Sequence, residues 1–293
     1  MARKANKGIG LFIVILMALA ACPADALVIS GEEESSDFGN LSQKFTDCQQ
    51  YGCGPTAAVN SFIYLQNTYP SIYDNKLVPS TSLVTEVAVA NALSGLMNTT
   101  CQGAASSCGT MWENFITGKE AYIDDAALGT TSVVAQSVFA WDPADGTEPG
   151  GVQDHTAPTV NFLATQLQQK EDVEILINGP GGLDHYLTLV DTTFDTDTNT
   201  GMINYIDPID GQLHSAPLSM GNPARGGGLI VEYTDPTATL FIAAPAAITV
   251  AVAESPIPEP ASGVVLGTGL LTLLAIRRRR TIRFIAAYFL RSL

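Results

Sequence analysis

Cys53 stands in Gly52-Cys53-Gly54-Pro55, directly ahead of a segment in which Val59, Phe62 and Ile63 recur at helical spacing. Pro55 suits a first helical turn, because it lacks an N–H that the turn would not use. A thiol at a helix start sits near the positive end of the dipole and near free N–H groups, which favour thiolate, the nucleophilic form. A base must then reach the sulfur, and the chain has three histidines, His155, His185 and His214. His155 follows the acidic loop "WDPADGTEPGGVQD" and His214 follows another turn-rich stretch, whereas His185 opens the apolar strand "HYLTLV" after the "NGPGG" turn. Asp207, in "NYIDPIDG", ends the next strand. Adjacent antiparallel strands bring the start of one opposite the end of the other, so Asp207 is placed to orient the His185 ring. The residues thus point to nucleophilic acyl transfer by a Cys53-His185-Asp207 triad. For each there is a plainer reading: Cys53 as half of a disulfide with Cys48, His185 as an ordinary strand residue, and Asp207 as the turn former before Pro208.

The elements that must carry these groups follow in order. Helices are expected after Cys53, through "TSLVTEVAVANALSGLM", through "GTMWENFITGKEAY", and through "TAPTVNFLATQL", where Phe162, Leu163 and Leu167 share a side. Strands are expected from Val173 to Asn178 and in "DHYLTLVDTTF", "MINYIDP", "GGLIVEYT" and "ATLFIAAPAAITVAV", separated by Gly, Pro, Asn and Asp clusters. A helical half followed by an antiparallel strand half predicts an α+β fold. "GPGG" at 179–182 reads as a turn. "DTDTNTG" at 195–201 places Asp195, Asp197 and Asn199 alternately, but Gly201 and Ile206 do not fall where a calcium loop needs its glycine and glutamate. It reads as a polar hairpin loop, and no metal or other cofactor is assigned.

The chain ends describe an exported protein. Arg3, Lys4 and Lys7 precede the apolar run "GIGLFIVILMALAA" and a stretch of small residues, the three regions of a secretory signal, taken here as residues 1–26. Ala24-Asp25-Ala26 fits ordinary signal peptidase, and Leu19-Ala20-Ala21-Cys22 fits a lipobox with Cys22 as the lipidated residue. At the other end "SPIPEPASGVVLGTGLLTLLAIRRRR", residues 255–280, joins a Pro-Glu-Pro motif to a short apolar segment, 263–276, and four arginines. These 14 apolar residues are short for a span of about 20, but the arginines can snorkel and hold the cluster cytoplasmic. Residues 281–293 form a short cytoplasmic tail, and 243–260 a final strand and linker.

From Asp25 to Glu259 the chain carries five basic residues, Lys44, Lys76, Lys119, Lys170 and Arg225, against 29 acidic ones. No basic patch exists to neutralise phosphate, which argues against nucleic-acid partners. Export makes disulfides tenable for Cys48, Cys53, Cys101 and Cys108. Cys101 and Cys108, flanking the small-residue loop "QGAASS", are the preferred pair, with Cys48–Cys53 as the competing one.

Two resemblances bear on these readings. The C-terminal segment resembles the PEP-CTERM sorting signal, which implies an exosortase-type enzyme as partner and a surface protein held transiently in the membrane. "YGCGPTAAVNSF", "DHYLTLV" and "INYIDP" resemble, in order, the catalytic blocks of papain-like cysteine peptidases of the bacteriocin-processing, double-glycine-leader type. That resemblance spans roughly Gln43 to Glu232 and implies a papain-like fold over residues 27–242, a peptide or protein substrate, and Cys53, His185 and Asp207 as the catalytic residues. It also implies an oxyanion-stabilising glutamine about six residues before the cysteine, where this chain has Asp47. Gln43 and then Gln49 are the candidates for that role. The competing class is a non-catalytic envelope protein, for binding or structure, with Cys53 oxidised.

Overall fold

The computed structural model describes residues 27–101, 108–127, 131–143, 147–179, 183–221, 228–237 and 244–257. The helices are α1 (Cys53–Thr68), α2 (Pro70–Tyr73), α3 (Leu83–Leu96), α4 (Trp112–Ala127) and α5 (Val160–Gln168). The strands are β1 (Val28–Glu32), β2 (Thr131–Ser137), β3 (Val152–Gln153), β4 (Asp172–Gly179), β5 (Leu183–Asp195), β6 (Thr200–Asp207), β7 (Gln212–Met220), β8 (Leu229–Tyr233) and β9 (Ala244–Pro256).

Strands β4 to β9 pair in succession, each antiparallel to the next, and β4 returns to pair with β9, so the sheet closes on itself. This corrects the α+β, papain-like expectation. The protein is a mostly β fold, a closed six-strand antiparallel barrel with β1, β2 and β3 added to it and a few helices. Closure rests on β4 and β9, paired from Asp172↔Glu254 to Asn178↔Ala247, segments distant in the chain whose register no local pattern announces. The long strands β5 and β9 each serve more than two neighbours. β5 pairs with β4 over its first half and with β1 over its second, and β9 pairs with β8 and then β2 along one edge. Closing a sheet removes the edges that would otherwise template aggregation.

Strand alternation splits the apolar residues into two cores. Val173, Ile175, Ile177, Leu187, Leu189, Tyr205, Val231 and Ala251 fill the barrel interior. Leu176, Tyr186, Val190, Val250 and Val252 face outward and meet α1, α3 and α4. Nearly every residue of α1 is buried, from Cys53 to Gln66, because the barrel wall covers one side and helices α3 and α4 the other. Ala57, Ala58, Val59, Phe62 and Leu65 are fully enclosed there, each large apolar side chain contributing about 1.5–3 kcal/mol.

The expected helices and most strands fall where the periodicity puts them. β7 is absent from the sequence reading because Gln212, His214, Ser215 and Pro217 do not read as a strand. Pro217 is tolerated because β8 joins that edge only from Leu218 onward. "DTDTNTG" forms the β5–β6 hairpin loop, where Asp195 Oδ1 accepts the N–H groups of Asp197 and Thr198 at 2.8 and 3.2 Å. The secretory signal, "GPGG" after Gly179 and the sorting signal beyond Ile257 lie outside the described residues. Among the described residues no helix is long and apolar enough to cross a membrane.

Candidate active site at the barrel rim

Cys53 is the first residue of α1, and Gly52 caps the helix in a close fit, where a Cβ would lie 2.8 Å from Thr46 Oγ1. Gly54 is equally enclosed: a Cβ there would lie 3.0 Å from Thr110 Oγ1 and 3.3 Å from the Tyr186 ring. Small residues flanking the cysteine therefore let the helix start settle against β5. Thr188 fastens it further, its hydroxyl donating to the Ala57 carbonyl at 3.1 Å.

His185 lies near the start of β5 and Asp207 ends β6, both buried at the same end of the barrel. His185 Nε2 and Asp207 Oδ1 are 2.8 Å apart. The Cys53 thiol lies near enough to the His185 side chain to raise its pKa. With Nε2 taken by the carboxylate, Nδ1 is the ring nitrogen left for the sulfur. The three residues chosen from the sequence thus come together in the order Cys53, His185, Asp207.

The electrostatics follow from burial and pairing. Burial acts to lower the His185 pKa, but the Asp207 charge, its hydrogen bond and the Cys53 thiol outweigh it and push the value up to about 10. For Asp207, burial acts upward, and His185 together with the Ile209 N–H and the Tyr233 hydroxyl brings it below its ordinary value. Asp207 Oδ1 accepts the Ile209 N–H at 2.9 Å, and its Oδ2 accepts the Tyr233 hydroxyl at 2.7 Å. Tyr233, at the end of β8, is a member of the site that the sequence reading missed. Its signal was there in "LIVEY", where Leu229, Val231 and Tyr233 share the inward parity of a strand.

Of the two glutamine candidates the structure brings Gln43 to the site and leaves Gln49 exposed on the surface. The segment carrying Gln43 is strapped on both sides. Asn60 of α1 accepts the Leu41 N–H at 2.8 Å and donates to the Leu41 carbonyl at 3.2 Å. Gln43 N–H donates to the Pro208 carbonyl at 2.6 Å, and the Ser42 hydroxyl to the Ile209 carbonyl at 2.6 Å. Gly211, at φ +72°, permits this approach, since a Cβ there would lie 2.1 Å from the Asn40 carbonyl oxygen. The Gln43 Oε1 atom is buried without a hydrogen-bond partner.

The other cysteines correct the disulfide expectation. Cys48 pairs with Cys101, their Cα atoms 4.9 Å apart, while Cys53 and Cys108 are free. Both Cys101–Cys108 and Cys48–Cys53 are replaced. The physical reason is tertiary: Cys48 precedes α1 and Cys101 follows α3, and the packing of α1 on α3 brings those ends together. The remaining histidines stand apart, His155 exposed with a left-handed φ of 53° and His214 on β7, bonded to Asp210 at 3.0 Å. Two cavities lie away from the triad, an apolar one of about 360 Å³ lined by Ile29, Val160, Phe194 and Met220, and an acidic one of about 440 Å³ lined by Glu32, Glu33, Glu34 and Asp37.

Among the described residues, one set of carboxylates, Asp172, Glu174 and Glu254, is close enough together to ligate a single cation, and the Lys119 ammonium already contacts all three. No protein-family model matches the chain, and comparison with curated proteins finds no match.

Proposed function

We propose that this chain is a cysteine-dependent amide hydrolase, a peptidase held at the cell surface, with Cys53 as nucleophile, His185 as general base and acid, and Asp207 as the group that orients the ring. The observation that carries this reading is the His185 ring held between the Cys53 thiol and the Asp207 carboxylate at one barrel rim. His185 holds the proton at neutral pH, so in the acylation step Cys53 Sγ, its proton already passed to the ring, attacks the scissile carbonyl carbon as the thiolate of a thiolate–imidazolium pair. His185 then returns that proton to the leaving amine as the C–N bond breaks, which leaves a thioester on Cys53. Water, deprotonated by His185, cleaves the thioester and restores the thiol.

The negative charge that develops on the carbonyl oxygen needs donors. The free N–H groups of the first turn of α1 supply some, and the Gln43 side-chain amide supplies another from the strapped segment. Cys53 retains only 7% exposure, so the scissile bond must be presented at the helix start rather than in a deep cavity.

Export and transient anchoring belong to the same proposal, with an exosortase-type enzyme as sorting partner, and they rest on the charged, apolar and Pro-Glu-Pro patterns at the two chain ends. The non-catalytic alternative with a Cys48–Cys53 disulfide is disfavoured by the pairing of Cys48 with Cys101. The test is to treat the exported protein, without reductant, with a panel of peptides bearing an electrophilic carbonyl and to map the adduct. An adduct on Cys53, lost in H185A and retained in H155A and H214A, supports the hydrolase. Absence of any Cys53 adduct across the panel in folded protein refutes it.

A further inference from the structure

Lys119 is the one basic residue of the described chain that is wholly enclosed, with no exposure. It lies on the face of α4 that Phe115 and Ile123 share, and it points at the barrel wall. Its Nζ donates to Asp172 Oδ2 at 3.1 Å and to Ser61 Oγ of α1 at 3.1 Å, and it contacts the carboxylates of Glu174 and Glu254 as well. The rings of Phe62 and Phe115 cover it, with centroids 5.5 and 5.7 Å away.

The strand register explains how three acids meet. Asp172 and Glu174 lie two apart on β4 and so share a face, and Asp172 is directly opposite Glu254 of β9. Asp172, Glu174 and Glu254 are each at most 1% exposed, and one oxygen of each, Asp172 Oδ1, Glu174 Oε2 and Glu254 Oε1, has no hydrogen-bond partner. Three carboxyl groups facing one ammonium in a dry, aromatic-walled space is an expensive arrangement, since the effective cost of burying each ion is several kcal/mol. Loss of charge is therefore favoured, and an amine held beside a carboxyl group has a route to it.

We propose that Lys119 and Glu254 condense in the folded protein to an intramolecular amide bond that ties α4 to β9, with Glu174 accepting the proton that frees the amine. The Lys119 ammonium gives one proton to the Glu174 carboxylate. Its Nζ lone pair adds to the Glu254 carboxyl carbon, forming the C–N bond. The C–OH bond of Glu254 then breaks, and the hydroxyl leaves as water with a second proton from Nζ. Amine and carboxylic acid become amide and water, so neither oxidant nor reductant is required.

Glu254 is the acceptor because amines attack neutral carboxyl groups and not carboxylates. Burial first, and the Asp172 charge beside it, hold the Glu254 carboxyl well above its ordinary range and hence protonated. Burial pushes Glu174 up to about 7 against the pull of Lys119, which makes it a stronger base than an exposed carboxylate. The charges of the three acids, outweighing burial, hold the Lys119 ammonium above its ordinary range, so the free amine forms only transiently, in contact with Glu254. The reacting groups are preorganised in contact, the condition under which an intramolecular reaction gains the most. The bond would staple the helical layer to the strand that closes the barrel, and it is independent of the hydrolase reading.

Peptide mapping of the purified full chain tests this. The protein is unfolded, reduced, alkylated and digested with trypsin and a second protease, and the fragments are sequenced by tandem mass spectrometry. The expected result is a branched species joining the Lys119 and Glu254 peptides, lighter than their sum by one water, with no tryptic cut after Lys119. In E174Q, which leaves both partners in place, the branched fraction is expected to fall at least tenfold. Efficient cleavage after Lys119 in the unfolded wild-type chain overturns the proposal. A branch to Asp172 or Glu174 overturns the choice of Glu254, and full linkage in E174Q overturns the role of Glu174.

Discussion

The Tyr233 hydroxyl donates to Asp207 Oδ2 at 2.7 Å while His185 Nε2 meets Oδ1 of the same carboxylate at 2.8 Å. The two contacts divide the carboxylate between them, so Tyr233 fixes the plane in which Asp207 can hold the imidazole. Tyr233 is itself nearly wholly buried, and burial is the first cause that drives its hydroxyl pKa upward, followed by the Asp207 charge. It therefore stays protonated and acts as a donor. Replacing Tyr233 with Phe leaves a buried carboxylate oxygen short of one donor, which costs about 1–3 kcal/mol. Urea unfolding of Y233F should show a loss of that size, and the His185 imidazole resonances should titrate at lower pH than in the wild type.

His185→Ala removes the base that the proposed reaction assigns to Cys53. Hydrolysis of any peptide that wild type cleaves should fall by about 10²–10⁴ in H185A, with a smaller loss in D207N, where the ring remains but is less well oriented. Steady-state kinetics on the three proteins check the ranking. Equal activity of H185A and wild type would remove His185 from the mechanism.

The His185–Asp207 pair sets a pH dependence of stability with a definite sign. The folded-state value of His185, about 10, lies above the ordinary 6.5, so the folded state binds the proton more tightly than the unfolded chain. Its contribution is complete below about 6.5 and is lost as pH rises through about 10. Denaturant midpoints measured across that window should decline more steeply for wild type than for D207N, in which the carboxylate is gone.

Glu33 gives a separable effect of the same sign. Burial, opposed by the hydrogen bond from the Tyr64 hydroxyl at 2.6 Å, pushes its carboxyl from 4.5 up to about 9. The folded state then holds a proton that the unfolded chain releases once pH passes 4.5, so stability is lost as pH rises from there to about 9. Glu33→Gln keeps an acceptor for Tyr64 and needs no proton. It should stabilise the fold by on the order of 1–3 kcal/mol at neutral pH and by almost nothing in acid, measured by calorimetry at both.

The Cys48–Cys101 disulfide spans 53 residues and joins the approach to α1 to the end of α3. Its removal in C48S should lower stability by roughly 2–4 kcal/mol. Cys53 should be alkylated in the untreated wild-type protein, whereas Cys48 and Cys101 should label only after reduction. Mass mapping of labelled sites decides it, and a Cys53 that reacts only after reduction contradicts this pairing.

The placement of Cys53, His185 and Asp207 was legible in the sequence because each sits at a local signal: Cys53 at a Gly-Pro helix start, His185 at the opening of a strand, Asp207 before Pro208 at the close of the next. Neighbouring antiparallel strands bring those short-range signals close: the β5–β6 ladder ends at Thr188↔Ile206, and just beyond it the His185 and Asp207 side chains meet. Helix periodicity likewise located α1, α3, α4 and α5. What the sequence could not determine was anything requiring distant segments to choose one another. Barrel closure depends on β4 pairing with β9, a strand the sequence announces without announcing its partner, and that closure overturned the α+β expectation. The same long-range packing decided Cys48–Cys101 over the nearer pairings, buried Gln43 against Pro208 while leaving Gln49 on the surface, and brought Tyr233 to Asp207 and Lys119 to three acids. Local propensity is written in spacing along the chain, whereas these partnerships depend on how helices and strands stack, and burial of the two apolar cores fixes that only in the folded chain.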